Sequence, residues 1–232
     1  MKADYSLYLV TDRANICGDA EMKVAENITN DFGKTTPANS RLLCSAVENA
    51  ILGGCTMVQL REKNISSKEF YYLAEKVKRV TDKYRVPLII NDRIDIALSV
   101  EAAGVHIGQK DIPVPAARKV IGKNMLLGVS AVSVCEAVRA WKDGADYLGV
   151  GAMFPTKTKS DARRVTIEEL EKIRKAVPLP IVAIGGIDRE NAGEFMALGI
   201  DGVAVVSAIL SQPDIRKAAA ELRKLVMRKG LS

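Results

Sequence analysis

The sequence has little of what metal clusters and disulfide scaffolds require. It contains a single histidine and four cysteines in 232 residues. No two of the cysteines have the close spacing of a metal site, and one histidine cannot complete a zinc cluster. Scattered thiols in a chain of this length are typical of a reducing compartment. The residues concerned are Cys17, Cys44, Cys55, Cys135 and His106.

Long apolar runs are also absent. No segment approaches the roughly 20 uninterrupted apolar residues that a membrane helix needs. Near the N-terminus, Asp12 and Arg13 interrupt the first apolar stretch too early for a secretory signal. We therefore expect a cytoplasmic protein that has no membrane partner.

Charge of neither sign dominates the sequence. Lys and Arg total 34 against 28 Asp and Glu, which gives a net charge of +6. Such an excess suits anionic ligands or nucleic acid, and it also fits a merely solvated basic surface. Because the basic residues are spread over helices without an arginine-rich arm, we expect no nucleic-acid binding. With 48% hydrophobic residues, the chain can bury a substantial core.

Short apolar runs recur along the whole chain and predict strands. The runs are nearly continuous, which is typical of parallel strands that are covered on both faces. They lie at Leu7–Val10, Met57–Leu60, Leu88–Ile90, Val105–Ile107, Leu126–Val129, Tyr147–Val150, Ile181–Ile184 and Val203–Val206.

Helical patterns fill the intervals between these runs. Two helices are marked by apolar residues at three- and four-residue spacing. Those residues are Phe70, Leu73, Val77 and Val80 in the first helix and Ile167, Leu170, Ile173 and Val177 in the second. Thr166 and Glu169 predict a capping box at the start of the second helix. The segment Ile215–Met227 predicts a last helix.

A weak internal repeat sets the strand count. Four segments end a helix on a glycine, which supplies the left-handed conformation that stops a helix, and then continue into an apolar strand. The glycines are Gly54, Gly104, Gly144 and Gly199. Copies lie about 40–55 residues apart, the length of two βα units. We therefore predict eight strands and a single α/β domain, a (β/α)8 TIM barrel, over residues 1–232.

A doubly wound open sheet is the alternative fold. It would normally need fewer strands, and no GxGxxG follows the first strand. The stretch Ala14–Asn39 matches neither helix nor strand, and in a barrel it would be an enlarged first βα loop at about 14–39. A loop of that length is either a lid over the site or a flexible connection.

Barrel active sites form where the strands run out into βα loops. The residues after the apolar runs supply cations, hydroxyl groups and a glycine pair. They are Arg61, Lys63 and Lys159, then Ser130, Thr156, Thr158 and Ser207, and finally Gly185 and Gly186. Adjacent glycines let backbone N–H groups approach an anion closely, so this set suits phosphate ligands.

Two aspartates end neighbouring predicted strands. Asp92 and Asp111 would lie at one rim, and two hard carboxylates without His or Cys suit Mg²⁺. The alternative is that each caps a helix or pairs with a lysine. Gln59 and Asn91 can present amide groups to the edge of a heterocycle. We interpret His106, inside a predicted strand, as a hydrogen-bonded core histidine.

Eight segments, in order, resemble the thiamine phosphate synthase (thiamine-phosphate pyrophosphorylase) family. They are "LYLVTDR", "VQLREK", "LIINDRIDIAL", "GVHIGQKD", "LLGVS", "YLGVGAMFPTKTK", "IVAIGGI" and "GVAVVSAI". The resemblance spans nearly the whole chain and departs only at Ala14–Asn39, which is longer than expected. It implies a (β/α)8 enzyme that joins hydroxymethylpyrimidine diphosphate to thiazole phosphate and releases diphosphate.

The resemblance also implies roles for individual residues. The metal would be Mg²⁺, held by Asp92 and Asp111. The catalytic contacts would be Arg61, Lys63, Ser130 and Lys159. The substrate contacts would be Gln59, Leu60, Arg61, Glu62, Lys63, Asn91, Ser130, Thr156, Lys157, Thr158, Lys159, Gly186, Val206 and Ser207.

Two other functions stay open from the residues. An isomerase of the same barrel type, acting on a thiazole phosphate alone, would need the phosphate-binding loops late in the chain. It would not need Arg61, Lys63, Asp92 and Asp111 together. A non-catalytic sensor of a phosphate ligand would bind without turnover. The expected partners are small-molecule substrates, and assembly into a homo-oligomer is left open.

Overall fold

A computed structural model describes residues 3–16, 37–155 and 163–227. Eight parallel strands pair in chain order into a closed barrel. The strands are β1 (Leu7–Val10), β2 (Met57–Leu60), β3 (Leu88–Asn91), β4 (Gly104–Ile107), β5 (Leu126–Ala131), β6 (Tyr147–Val150), β7 (Ile181–Ile184) and β8 (Gly202–Val205). The predicted (β/α)8 TIM barrel is confirmed, and the open-sheet alternative is excluded because β8 pairs with β1.

Helices alternate with the strands and cover the barrel. They are α1 (Pro37–Leu52), α2 (Ser67–Lys83), α3 (Ile94–Ser99), α4 (Val114–Ile121), α5 (Val134–Lys142), α6 (Ile167–Ala176), α7 (Ala192–Ala197), α8 (Ser207–Leu210) and α9 (Ile215–Met227). A short 3-10 helix, Arg13–Asn15, follows β1. Within the described ranges, no helix has the length and apolar character needed to cross a membrane.

Alternation along each strand separates two apolar clusters. In β1, Leu7 and Leu9 belong to the large cluster shared with the helices, whereas Tyr8 and Val10 belong to a small second cluster. The small cluster also contains Ile89 and other residues from β2, β3, β6, β7 and β8, so it fills the barrel interior. Successive strand residues point to opposite faces. Both faces are therefore buried, which explains the continuous apolar runs.

The predicted strand positions are accurate to one or two residues. β3 includes Asn91 and β5 continues through Ser130 to Ala131, so two polar residues expected after strands lie within them. β8 ends at Val205, one residue earlier than predicted. Because Asn91 and Ser130 are strand residues, the sheet itself sets the direction of their side chains.

One of the four glycines assigned to helix ends has a different role. Gly54, Gly144 and Gly199 have positive φ angles of 110°, 102° and 73°, as a helix-ending glycine requires. Gly104 instead begins β4, and a Cβ there would lie 2.5 Å from the Leu126 carbonyl oxygen. The prediction for Gly104 is wrong because close strand packing, and not a left-handed turn, requires the glycine.

The first loop is shorter at its end than predicted. α1 begins at Pro37, so Pro37 and Asn39 are helical and do not belong to a loop. Proline is favoured in the first turn of a helix, where its missing N–H costs nothing. At the other end, the Asp12 side chain accepts a hydrogen bond from the Ala14 N–H (3.1 Å). Residues 17–36 of the predicted loop lie outside the described ranges.

Side-chain caps begin several helices. The Thr166 hydroxyl accepts from the Glu169 N–H (3.2 Å), which is one half of the predicted capping box. The other half is not formed, because the Glu169 carboxylate accepts from the Val134 N–H (3.0 Å). A reciprocal capping box that the sequence analysis did not identify joins Ser66 and Glu69 at the start of α2. Such caps satisfy backbone donors that a helix leaves unpaired.

Barrel closure predicts a strong effect of Gly202→Ala. A Cβ at Gly202 would lie 1.8 Å from the Tyr5 carbonyl oxygen, which is backbone and cannot yield without separating β8 from β1. We expect a loss of about 3 kcal/mol or more in the free energy of unfolding, measured by thermal and urea melts.

The matched control is Gly193→Ala. Gly193 lies in α7 and a Cβ there would meet nothing within 4 Å. This change should leave the melting temperature the same or raise it, because alanine favours helix by up to about 1 kcal/mol over glycine. Equal melting temperatures for the two variants would show that the pairing of β8 with β1 does not require a glycine at position 202.

Candidate active site

An open cavity of about 490 Å³ lies at the carboxyl ends of the strands. Its size falls in the range of small-molecule sites, roughly 300–1,000 Å³. In barrel enzymes this end carries the active site. The polar residues that line it include Gln59, Arg61, Asn91, His106, Ser130, Asp188, Ser207 and Gln212.

Four of the predicted site residues share the wall formed by β2, β3 and β5. Gln59, Arg61, Asn91 and Ser130 all line the cavity. The Gln59 and Asn91 side chains are buried, so their amides have fixed positions at its inner surface. The Arg61 backbone N–H donates to the buried Thr11 hydroxyl (3.0 Å), which ties the end of β2 to the end of β1. The sheet therefore presents amides, a hydroxyl and a guanidinium to one ligand space.

The two aspartates meet at the rim of the barrel, as predicted. Burial raises the pKa of the Asp111 carboxyl, and the adjacent Asp92 carboxylate, within hydrogen-bonding reach, raises it further. The Asp111 carboxylate accepts from the Gly108 N–H (2.7 Å), and Lys63 Nζ donates to Asp92 Oδ2 (2.9 Å). Two close carboxylates beside one ammonium group could hold a further cation, because a nearby positive charge favours ionised carboxylates.

Asp92 also has an unusual backbone. Its φ angle is +61°, a left-handed conformation that side chains other than Gly, Asn and Asp rarely adopt. Its N–H donates to the His106 carbonyl oxygen (2.8 Å), so pairing to β4 holds the residue in this conformation. Local strain of this kind persists where the surrounding structure determines it. Here it turns the carboxylate towards Asp111 and Lys63.

A wall lined by glycine lies at the ends of β7 and β8. Gly185 and Gly186 have φ angles of +98° and +66°, and both line the cavity together with Val206 and Ser207. A Cβ at Gly186 would lie 2.6 Å from the Phe154 Cβ, so no larger residue fits. This wall has exposed backbone and a hydroxyl and carries no carboxylate among these four residues, which suits an anionic group.

Three predicted substrate contacts within the described ranges, Leu60, Glu62 and Lys63, are not among the residues that line the cavity, and two of them are buried elsewhere. Leu60 is fully buried in the cluster between barrel and helices, because it alternates with the inward-facing Gln59. Glu62 forms a buried ion pair with Arg13 at 2.8 Å, both side chains being 6% exposed. The assignment of these two side chains to substrate is therefore corrected. Burial raises the pKa of the Glu62 carboxyl in spite of the Arg13 partner.

Four other predicted contacts, Thr156, Lys157, Thr158 and Lys159, lie outside the described residues. Pro155, which directly precedes them, lines the cavity. Their assignment stays a prediction.

Sequence reasoning missed two tyrosines on the cavity floor. Tyr8 and Tyr147 project into the barrel and line the cavity, and their hydroxyl groups lie 2.9 Å apart. His106 is a buried, hydrogen-bonded histidine, as interpreted, but it also lines the cavity. Alternation along the strands is the signal that could have found them, because Tyr8 lies between the outward-facing Leu7 and Leu9 and Tyr147 precedes the outward-facing Leu148.

The carboxylate pair differs from a site for a softer metal. Within residues 3–16, 37–155 and 163–227, no three His, Cys, Asp or Glu side chains cluster as a metal site. A cation held by two carboxylates would need other oxygen ligands, such as water or substrate phosphate. Mg²⁺ is commonly bound in this way.

Comparison with known proteins connects this geometry to a family. The family model described as thiamine monophosphate synthase matches residues 33–209. The chain belongs to the thiamine monophosphate synthase family. A thiamine-phosphate synthase of Clostridium beijerinckii is 53% identical over 222 residues, 96% of each chain. One from Ruminiclostridium cellulolyticum is 52% identical over 229 residues, 99% of each.

A solved structure agrees. Thiamine phosphate pyrophosphorylase from Pyrococcus furiosus superposes with a TM-score of 0.80 at 37% identity, covering 99% of this chain and 98% of that one. The predicted membership of the thiamine monophosphate synthase family is confirmed. So is the prediction of an enzyme, a transferase of thiamine biosynthesis.

The Arg13–Glu62 pair predicts that Glu62 acts through stability. Glu62→Ala leaves the buried Arg13 guanidinium without this carboxylate, and we expect about 3 kcal/mol of destabilisation in urea unfolding. The double variant Arg13→Met with Glu62→Leu should recover most of it, because apolar side chains of similar size can replace a buried ion pair. A stable Glu62→Ala protein with weakened substrate binding would instead restore Glu62 as a substrate contact.

Proposed function

We propose that the chain condenses 4-amino-5-hydroxymethyl-2-methylpyrimidine diphosphate with thiazole phosphate, giving thiamine phosphate and diphosphate. The observation that carries the proposal is the division of one cavity. The buried Gln59 and Asn91 amides and Arg61 lie on one wall, and a wall of exposed glycine backbone lies at the ends of β7 and β8. The Asp92–Asp111 pair begins directly after Asn91, at the end of β3. Such a cavity suits two phosphorylated substrates held face to face.

The amide wall supports binding of the pyrimidine diphosphate. Gln59 and Asn91 can exchange hydrogen bonds with a nitrogen heterocycle, since each amide carries both a donor and an acceptor. Arg61 lines the same wall and can bind diphosphate oxygens in pairs. Lys63, at the rim, is 54% exposed and can turn towards the same group.

The carboxylate pair fits Mg²⁺. Burial and mutual repulsion raise the pKa of Asp111, so the pair is poorly satisfied by protein groups alone. A Mg²⁺ bound by Asp92 and Asp111 would neutralise charge on the diphosphate and make it a better leaving group. The Lys63 ammonium group, hydrogen-bonded to Asp92 at 2.9 Å, could then donate to the diphosphate as it leaves.

The glycine wall supports binding of the thiazole phosphate. Gly186 and Ser207 offer backbone and hydroxyl groups to a phosphate, and Val206 offers an apolar contact to a ring. Thr156 and Thr158 are assigned to the same substrate by the family resemblance. Substrates bound to the two walls would face each other across the cavity, and positioning of this kind can contribute several kcal/mol to the rate.

The bond chemistry needs no protein nucleophile or general base. The bond between the pyrimidine methylene carbon and the diphosphate oxygen breaks, and its electrons leave with the diphosphate. The electron-rich aminopyrimidine spreads the resulting positive charge. The thiazole nitrogen then donates its lone pair to the methylene carbon and becomes a thiazolium, and no proton changes place. Arg61 and Lys63 stabilise the charge that develops on the leaving group.

The two rival functions fit the cavity less well. An isomerase of a thiazole phosphate would not use Arg61, Lys63, Asp92 and Asp111 together, yet the structure brings the two aspartates and Lys63 into contact. A non-catalytic sensor does not agree with the synthase relatives at 53% and 52% identity.

Diphosphate release tests the proposal. The full-length chain is mixed with both substrates, with and without Mg²⁺, and diphosphate and thiamine phosphate are measured together. We expect stoichiometric formation of both products only when both substrates and Mg²⁺ are present. Diphosphate released without thiamine phosphate, or a thiazole phosphate converted alone, would overturn the proposal.

Asp92→Asn and Asp111→Asn should separate a metal role from a capping role. Asparagine is isosteric, and it tolerates the left-handed backbone of residue 92, so the fold should persist. Relief of carboxylate repulsion should keep the melting temperature equal or raise it slightly. Turnover should fall roughly a hundredfold or more, because charge stabilisation of the leaving group is lost.

The control for these two variants is Asp95→Asn. Asp95 lies three residues from Asp92 and pairs with Arg93 on the surface. Its loss should leave turnover and Mg²⁺ dependence unchanged. If Asp92→Asn or Asp111→Asn melts many degrees lower while the folded fraction keeps normal turnover, the carboxylates are helix caps.

Lys159→Ala should lower turnover more than thiazole-phosphate affinity. The family resemblance assigns Lys159 to the leaving diphosphate, so its contribution should grow as charge develops in the transition state. Steady-state kinetics measures kcat and the two KM values separately. An intact kcat with a raised KM for thiazole phosphate alone would reassign Lys159 to the other substrate.

A further inference from the structure

A continuous chain of hydrogen bonds joins Gln59 to Ser130 along the cavity floor. Gln59 Nε2 donates to the Tyr8 hydroxyl at 2.9 Å, and the Tyr8 and Tyr147 hydroxyl groups are 2.9 Å apart. The Tyr147 hydroxyl lies 3.2 Å from His106 Nδ1, and His106 Nε2 lies 2.9 Å from Ser130 Oγ. Four hydrogen bonds thus connect Gln59 to Ser130, the two predicted ligand contacts at either end of this hydrogen-bonded series.

The tyrosine protons determine the direction of these bonds. Tyr8 is 2% exposed and Tyr147 is 0% exposed, and burial raises the pKa of both, so each keeps a single proton. Within the described part of the chain, each hydroxyl forms hydrogen bonds only with its neighbours in this series. A buried hydroxyl proton without an acceptor is costly, so each must be donated along the series.

With the Gln59 amide nitrogen facing Tyr8, one arrangement satisfies these four bonds. Gln59 donates to Tyr8, so Tyr8 donates to Tyr147, and Tyr147 donates to His106 Nδ1. Nδ1 therefore carries no proton, and a neutral imidazole then has its proton on Nε2. That proton is donated to Ser130 Oγ. The Ser130 proton is left for a ligand, and the Gln59 carbonyl oxygen is left to accept from one.

Two glycines within strands make room for this chain. A Cβ at Gly128 would lie 2.3 Å from the Tyr147 hydroxyl oxygen and 2.5 Å from His106 Nδ1. A Cβ at Gly149 would lie 2.9 Å from His106 Cε1. Glycine inside a strand weakens it and marks a close approach of other atoms. Glycine therefore lowers the stability of β5 and β6 at the positions where Tyr147 and His106 need the space.

We propose that Tyr8, Tyr147 and His106 are positioning residues that set the hydrogen-bond polarity of the site. Through them Ser130 is held as a donor to a ligand lone pair, and Gln59 as an acceptor from a ligand N–H. The class of ligand that fits is a nitrogen heterocycle with one free lone pair and one amino group. This assignment of the ligand rests on the proposed function, whereas the His106 tautomer does not.

Nitrogen NMR of the histidine ring tests the polarity directly. The sequence holds a single histidine, so ¹⁵N-histidine labelling of the full chain gives one unambiguous ring. Long-range ¹H–¹⁵N correlation at neutral pH should show the neutral Nε2–H tautomer without any ligand. An Nδ1–H tautomer or a doubly protonated ring would overturn the proposal, whether or not the chain has the proposed synthase activity.

The variant Tyr147→Phe tests the consequence for binding. It removes the donor to His106 Nδ1 but keeps the ring, so signals of both tautomers should appear. The KM for the pyrimidine diphosphate should rise roughly tenfold, the size of one lost hydrogen bond, with kcat changed less than about threefold. An unchanged tautomer and KM would overturn the proposal.

The matched control is Tyr5→Phe. The Tyr5 ring packs against Tyr147 with centroids 5.0 Å apart, but its hydroxyl is not part of the series. This variant should leave the tautomer and the KM unchanged, and an effect equal to that of Tyr147→Phe would show a role in packing alone. If Tyr147→Phe does not fold, the tautomer of the unaltered protein decides the question by itself.

Discussion

Closure of the barrel by the pairing of β8 with β1 is the constraint on which the rest of the structure depends. A closed ring of eight parallel strands has no edge, so every strand residue faces either the narrow interior or the helices. The interior accepts only a few large side chains. Tyr8 and Tyr147 belong to the interior cluster, and the missing side chains of Gly128 and Gly149 leave room for Tyr147 and His106. The two tyrosine rings form the floor of the cavity.

The same alternation decides which polar residues can do chemistry. Gln59 and Arg61 point to the cavity, whereas Leu60 packs outward, although all three are adjacent in one motif. Glu62 is held in an ion pair with Arg13 and so connects the ends of β2 and β1. One short motif can therefore contain both ligand-binding residues and structural residues. The direction of each side chain shows which role it has.

Electrostatics at the rim follow from two strand ends meeting. The left-handed backbone at Asp92 and the short turn from Gly108 to Asp111 bring two carboxylates together, and Lys63 offsets only part of their charge. The protein tolerates this repulsion in a place where a divalent cation and a diphosphate would remove it. At the ends of β7 and β8, the positive φ angles of Gly185 and Gly186 expose backbone that suits an anionic group.

The sequence by itself determined the eight strands and their positions to within two residues, because apolar runs covered on both faces are local signals. The glycines that end helices at Gly54, Gly144 and Gly199 are local signals of the same kind. The sequence also placed Asp92 and Asp111 correctly at one rim for the same reason. The role of Gly104 in strand packing, the Arg13–Glu62 pair and the series from Gln59 to Ser130 were decided by the tertiary structure alone. Each depends on contacts between strands or loops far apart in the chain, and period and composition carry no information about which side chains will touch across a closed barrel.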